Sequence, residues 1–387
     1  MSGSGGAAAA APEELAAAAA VAGKPAVAGK PQAPWDPAHP SAIQIQTLTD
    51  GGQPAAQVAA WVAAFLGEAR HSLAIALYDL GLSDATAAPV IQAIHEAAGR
   101  GVEVRLAYNE DHDQPIPVPP PPETNRTQIE AYGVPTRGIP GVPDLMHHKY
   151  VVRDEETVWT GSLNWTEDSW TREENVIAIV PSRDIAASYT RNFEELWSRR
   201  RVAGTGEYTP EPVDVAGTTV RVLFSPGRGR RLAHRIAAAL GQAQRRIRVC
   251  SPVMTSGPVI ATLAEVAAAG RVDVAGVLDS TQMAEVRRQW QEDAAWKIPI
   301  VESILSKTPF SGKRSTPYGP GTVHDYMHAK VVVADDTVFL GSYNLSHSGE
   351  ENAENVLEIA SADLAEGLAR FVDGLRTRYE PMPAFDH

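Results

Sequence analysis

Two stretches of the chain carry the same reactive residue types at nearly the same spacing. The first reads His147-x-Lys149, four residues, Asp154, six residues, then Gly161-Ser162-x-Asn164. The second reads His328-x-Lys330, four residues, Asp335, five residues, then Gly341-Ser342-x-Asn344. On a strand, side chains at i and i+2 share a face, so each histidine points the same way as its lysine. Asn164 and Asn344, just past small Gly-Ser turns, return beside them. Each stretch thus offers an imidazole, a fixed cation and an amide, and two such sets face to face suit a phosphodiester. One imidazole attacks phosphorus and forms a phosphohistidine. The other protonates the leaving oxygen, then activates water or an alcohol. The lysines and asparagines hold the non-bridging oxygens, whose charge must be stabilised in the transition state. Because the lysines supply positive charge, neither a metal nor another cofactor is expected. His148 sits on the opposite strand face from His147, so the pair is ill placed to ligate one ion.

Two carboxylates lie downstream at matched positions. Glu174 follows Asn164 by ten residues and Glu354 follows Asn344 by ten, each preceding an asparagine. A carboxylate that accepts a proton-bearing Nδ1 fixes the tautomer and orientation of an imidazole, and that is the role expected of both.

The elements that must position these groups read as an α/β chain, because the apolar period switches repeatedly between 2 and 3.6 from Ile43 onward. Strands are expected at Ser72–Tyr78, Val102–Ala107, 134–137 and 175–180, with helices at Ala85–Ala98, 123–132 and 182–200. The proline-rich segment 108–122 reads as an irregular loop. Residues 146–165 read as two strands joined by a turn at Asp154–Glu156. The order then repeats: strands at Thr219–Phe224, Arg246–Cys250, Val272–Leu278 and 355–360, and helices at Arg231–Ala243, Pro258–Gly270 and 361–378. His147 and His328 lie 181 residues apart, a repeat of whole domains and not of a solenoid unit. The expected organisation is an Ala/Gly/Pro-rich tail at 1–41, a first domain at 42–203, a linker at 204–217 and a second domain at 218–382.

At this point the residues resemble the phospholipase D superfamily, whose signature is the HKD motif. ALYDLGLSD, MHHKYVV, GSLNWT and AENVLEI are similar to its bacterial branch, over roughly residues 43–380. The resemblance implies two homologous α/β/α domains, each a mixed sheet flanked by helices, packed with pseudo-twofold symmetry and with the active site between them. It implies His147 as nucleophile and His328 as general acid, with Asp154 and Asp335 structural. The second motif is one residue shorter between Asp and Gly, and Asp336 leaves two candidates for that aspartate.

The 387 residues include 34 Lys+Arg and 47 Asp+Glu, a net charge of −13, which disfavours a general nucleic-acid binder. The single cysteine, Cys250, excludes an internal disulfide. No basic n-region and no run of 18 apolar residues is present, so a cytoplasmic protein is expected. Eight arginines between Val215 and Ala264, with no acid among them, read either as a patch for anionic lipid or nucleic acid or as a face balanced by acids elsewhere. Trp165 and Trp170 read as core. The segments 108–146 and 279–326, with Phe310 and Tyr318, are expected to roof the site. The expected function is phospholipase D-type hydrolysis to phosphatidic acid and headgroup, with transfer to an alcohol as a variant. A metal-independent nuclease and a cardiolipin-synthase-like transferase are the alternatives. The expected partner is a phospholipid or another phosphodiester, with peripheral membrane contact. Fused halves need no oligomer to complete the site.

Overall fold

Apolar runs of four to eight residues bounded by turn residues form the strands, and longer 3.6-period stretches form the helices. The computed structural model describes residues 42–110, 124–319 and 321–383. The tail at 1–41 and the proline run at 115–122 lie outside them.

In the first half the order is β1 (Gln44–Leu48), α1 (Ala55–Gly67), β2 (Ser72–Leu77), β3 (Leu80–Gly81), α2 (Asp84–Gly99), β4 (Glu103–Glu110), α3 (Arg126–Ala131), β5 (Thr136–Pro140), β6 (Lys149–Arg153), β7 (Thr157–Gly161), β8 (Trp165–Thr166), α4 (Glu167–Thr171), β9 (Asn175–Pro181) and α5 (Arg183–Arg199). The second half runs β10 (Val213–Val215), β11 (Thr218–Ser225), α6 (Gly229–Gln242), β12 (Arg246–Ser251), α7 (Gly257–Ala269), β13 (Asp273–Asp279), α8 (Ser280–Asp293), a 3-10 turn, α9 (Ile298–Lys307), β14 (Phe310–Lys313), β15 (Val331–Ala334), β16 (Thr337–Gly341), α10 (His347–Glu351), β17 (Glu354–Ala360) and α11 (Ala362–Arg378).

The two large sheets repeat one topology. Their orders are β1-β9-β7-β6-β2-β4-β5 and β10-β11-β17-β16-β15-β12-β13-β14, identical strand for strand once the edge strand β10 is set aside. In each sheet three strands run parallel (β2, β4, β5; β12, β13, β14) and the rest pair antiparallel. Three apolar clusters fill the layers. The outer two lie under α1 and α2 and under α6, α7 and α9. The central cluster joins Tyr150, Val152, Tyr189 and Phe193 of the first half to Phe224, Val331, Leu357 and Leu368 of the second. The halves therefore share a core, and burial of that shared apolar layer holds them together.

Two expectations change, and a third gains detail. Within the expected linker at 204–217, β10 pairs with β11 through a two-residue turn at Ala216 and Gly217, both at positive φ. Tyr208 donates to the Ser188 carbonyl at 2.5 Å, which ties the segment to α5. Strand β4 runs on to Glu110, into the stretch expected to be loop. Residues 279–326 hold α8, α9 and β14, and Phe310 is buried in the second outer core instead of roofing anything.

The one-residue difference between the motifs is absorbed by the hairpins. Arg153 pairs with Thr157 across a three-residue loop, whereas Ala334 pairs with Thr337 across two. Asp154 and Asp335 both adopt a left-handed backbone, at φ 57° and 51°. The Asp154 carboxylate accepts from the backbone N–H groups of Arg70, His71 and Ser72, and Asp335 does the same for Gln244, Arg245 and Arg246. Asp335, not Asp336, is thus the counterpart of Asp154, and both aspartates pin the hairpin to the start of the neighbouring parallel strand.

Candidate active site

Each motif enters at the carboxyl edge of its parallel strands. Lys149 opens β6 opposite Leu77, the last residue of β2. Beyond the hairpin, Gly161 has φ 144°, and a Cβ there would lie 2.1 Å from the Val176 carbonyl oxygen. A Cβ at Gly341 would come equally close to the Asn355 carbonyl. Only glycine lets the motif strand approach its neighbour this closely. Ser162 follows, donating to the Asn175 side chain at 2.6 Å, and Ser342 accepts from the Asn355 backbone N–H at 3.0 Å. The two serines thereby lock the turns that carry Asn164 and Asn344. Trp165 and Trp170 are core, and the Trp170 indole N–H donates to the Asn164 carbonyl at 2.8 Å.

The two halves then complete one another. His147 Nδ1 lies 2.8 Å from one Glu354 carboxylate oxygen and 2.9 Å from the other. His147 N–H also donates to the Ala353 carbonyl, so the first motif is hydrogen-bonded to the start of β17 by backbone and side chain. Glu354 therefore stands at the histidine of the opposite half. The position expected for Glu174 is taken by others: His328 Nδ1 lies 3.1 Å from the Asn175 side-chain oxygen and 3.2 Å from Glu173. Glu174 instead accepts from Lys313 Nζ at 2.8 Å, from the Asp50 backbone N–H and from the Tyr379 hydroxyl. The cause lies in the second half, where Lys313 at the end of β14 brings a buried ammonium to Glu174. Glu173 and Lys313 escaped the sequence reading. The doubled Glu-Glu against Ala353-Glu354 was the available signal for the first; Lys313 has no sequence signal.

Lys149 Nζ donates to the His147 carbonyl at 2.6 Å, and Lys330 Nζ to the His328 carbonyl at 2.7 Å. Each lysine is thus held under its own histidine. Lys149 also lies 4.7 Å from the Tyr78 ring, which meets the His147 ring edge-on at 4.6 Å. Burial, then Lys149, Lys330 and His328, hold His147 well below the usual histidine pKa. Burial, Lys330 and Lys149 do the same to His328. Each histidine feels both lysines, so the two motifs form one electrostatic unit. Burial lowers Lys149 to about 7 and raises Glu354 to about 8 and Glu173 to about 7. Asn164 Oδ1 and Asn344 Oδ1 are buried without a hydrogen-bond partner among the described residues. The same atom of the same residue type is thus left unpaired at both equivalent positions. His148 faces the other way, against Tyr150 and Phe224, with Asn355 at its Nδ1.

Five of the eight clustered arginines are answered by acids from other elements. Arg221 and Arg235 meet Glu358, Arg245 meets Asp335 and Asp336, Arg246 meets Glu366, and Arg248 meets Asp273 and Asp373. For these five the balanced-face reading holds, whereas Arg228 and Arg231 bond only to neutral oxygens.

The family model described as cardiolipin synthase, PLD-like domain, matches residues 62–197 and again 236–375. A phospholipase D of Rickettsia felis is 29% identical over 140 residues, 36% of this chain and 64% of that protein. The match thus spans a little under two thirds of that relative's length. The mitochondrial cardiolipin hydrolase of Xenopus tropicalis is 41% identical over 70 residues, 18% of this chain and 29% of its own. Among solved structures, phosphatidylserine synthase of Haemophilus influenzae superposes with a TM-score of 0.64 at 14% identity, covering 88% of each chain, a likeness of fold. No described helix is long and apolar enough to cross a membrane.

Proposed function

Because the chain belongs to the family of cardiolipin-synthase, phospholipase D-like domains, we propose that it is a phospholipase D-type phosphodiesterase acting on a phospholipid. His147 Nε2 attacks phosphorus, the headgroup oxygen departs with a proton from His328, and a phosphatidyl-histidine forms. His328, now neutral, takes a proton from water, which displaces His147 and releases phosphatidic acid; an alcohol in place of water gives transfer. Lys149, Lys330, Asn164 and Asn344 hold the non-bridging oxygens. Glu354 orients His147, and Glu173 with Asn175 orients His328.

The observation that carries this reading is the pair of motif sets in one buried cluster, where each histidine meets an acid of the opposite half and both lysines lie within electrostatic reach of both histidines. The names of the relatives supply the lipid: phospholipase D and cardiolipin hydrolase. The pairing of the basic cluster argues against a polyanion groove.

The test is a parallel assay in EDTA of wild type and His147→Asn on phosphatidylcholine vesicles and on single-stranded DNA. Headgroup release lost in the variant supports the proposal. DNA cleavage without headgroup release assigns a nuclease, and loss of activity in EDTA with rescue by a divalent ion overturns the metal-free mechanism.

A further inference from the structure

Three large apolar side chains stand exposed among the described residues: Val142 at 42%, Val323 at 40% and Trp296 at 62%. Singly, each is ordinary, since much of any protein surface is apolar. Their common placement is not. Val142 follows the end of β5 by two residues and precedes His147 by five. Val323 precedes His328 by five, and the next residue, His324, donates its backbone N–H to Asp168 of α4 at 2.9 Å. Trp296 lies at the 3-10 turn between α8 and α9, in the connection from β13 to β14. That turn is held over the site edge: Lys297 Nζ donates to the Thr255 carbonyl at 3.1 Å, and Thr255 N–H donates to the carbonyl of Leu345, the neighbour of Asn344. All three side chains therefore stand on connections at the carboxyl edges from which the motif residues enter.

We infer that Val142, Val323 and Trp296 form a rim that seats the site entrance on a zwitterionic lipid surface, so that the enzyme takes its substrate from the bilayer without lifting it into water. The inference rests on the lipid reading above and deepens it. A tryptophan is suited to the headgroup region, where its ring is buried and its N–H stays wet. The choice of a zwitterionic over an anionic surface follows from charge. The chain carries −13 overall, and Asp144, two residues past Val142, stands near Glu351 on the same edge. An anionic surface would be repelled there.

The experiment compares wild type with the triple variant Val142→Ser, Trp296→Ser, Val323→Ser, matched first for thermal midpoint. Two substrates are used: dioleoyl-phosphatidylcholine vesicles, and dihexanoyl-phosphatidylcholine below its micelle threshold. Vesicle flotation is measured separately from turnover. The expected result is a drop of about tenfold or more in vesicle binding and vesicle turnover, with turnover of the monomeric lipid within about twofold of wild type. Added phosphatidylglycerol should weaken wild-type binding. Equal binding by both proteins overturns the rim, as does equal loss on both substrates. If wild type turns over neither substrate, the lipid reading fails, while flotation still decides for or against the rim.

Discussion

His147 and Glu354 are 207 residues apart in the chain, yet Nδ1 of the first lies 2.8 Å from a carboxylate oxygen of the second. The histidine of one half is oriented by the acid of the other. Neither half holds its own imidazole in place, so the chemistry belongs to the pair.

Glu354→Gln should therefore lower kcat by about 10²- to 10⁴-fold with little change in KM, because the amide keeps the shape but cannot become the carboxylate that stabilises His147 as it turns cationic on attack. Glu173→Gln should produce a smaller fall in kcat, since Asn175 also holds His328. Glu174→Gln should act on stability, because it leaves Lys313 buried with a weakened partner; about 3 kcal/mol is expected by denaturant titration. A kcat loss for Glu174→Gln equal to that for Glu354→Gln would restore the symmetric assignment.

The two histidines should be separable with a leaving group that needs no acid. On a p-nitrophenyl phosphodiester, His328→Ala should still release one equivalent of nitrophenol in a burst and accumulate the phosphohistidine, visible by intact mass under alkaline conditions. His147→Ala should give neither. A burst from His147→Ala would exchange the roles.

The acid and alkaline limits of kcat/KM should both lie lower than ordinary imidazole and lysine values suggest. Burial and the lysines keep His147 neutral as pH falls through 6.5, so the nucleophile is not lost there. Lys149, lowered by burial to about 7, loses its proton as pH rises, and with it a hold on the phosphate. His328, the acid, is also held well below the usual histidine value by burial, Lys330 and Lys149, so activity should be highest below pH 6.5 and fall as pH rises, with loss of the Lys149 proton near pH 7 steepening the decline. Lys149→Gln should be slow throughout and keep only the part of the alkaline decline that belongs to His328, without the steepening near pH 7. A profile rising through pH 6.5 and flat to 9 would contradict this ordering.

Asp154→Ala should cost about 1–3 kcal/mol, since three N–H groups at the start of β2 lose their acceptor and the new residue sits at positive φ. Asp154→Asn should cost less, because asparagine tolerates that backbone. Turnover per folded molecule, measured with active-site titration, should stay within a few-fold of wild type for both.

Much of this was legible in the chain because it is local or doubled. Period and turn residues located most strands and the helices α2, α5, α6, α7 and α11. The duplicated spacing singled out His147, Lys149, Asn164 and their counterparts as the candidates without any coordinate. Partner choice was not legible at the second site. The matched positions of Glu174 and Glu354 predict matched roles, but Lys313, from a different strand, meets Glu174, while Glu173 lies by His328. Such a competition between buried charges depends on tertiary distance, which spacing does not encode. Likewise β10 is too short, at three residues, to declare itself inside a Gly- and Pro-rich stretch.

The buried ammonium and carboxyl groups around the site are unequal in number. Lys149, Lys313 and Lys330 stand among Asp79, Glu173, Glu174, Asp279 and Glu354, all with little exposure. The cluster approaches neutrality by keeping protons on some of those carboxyls, as the raised values of Glu354 and Glu173 indicate. A phosphodiester brings one more negative charge into that space, so its capture should draw a proton from solution. The heat of binding an unreactive diester analogue at pH 7.5 should then scale with the ionisation enthalpy of the buffer, which makes substrate capture itself a proton-uptake event.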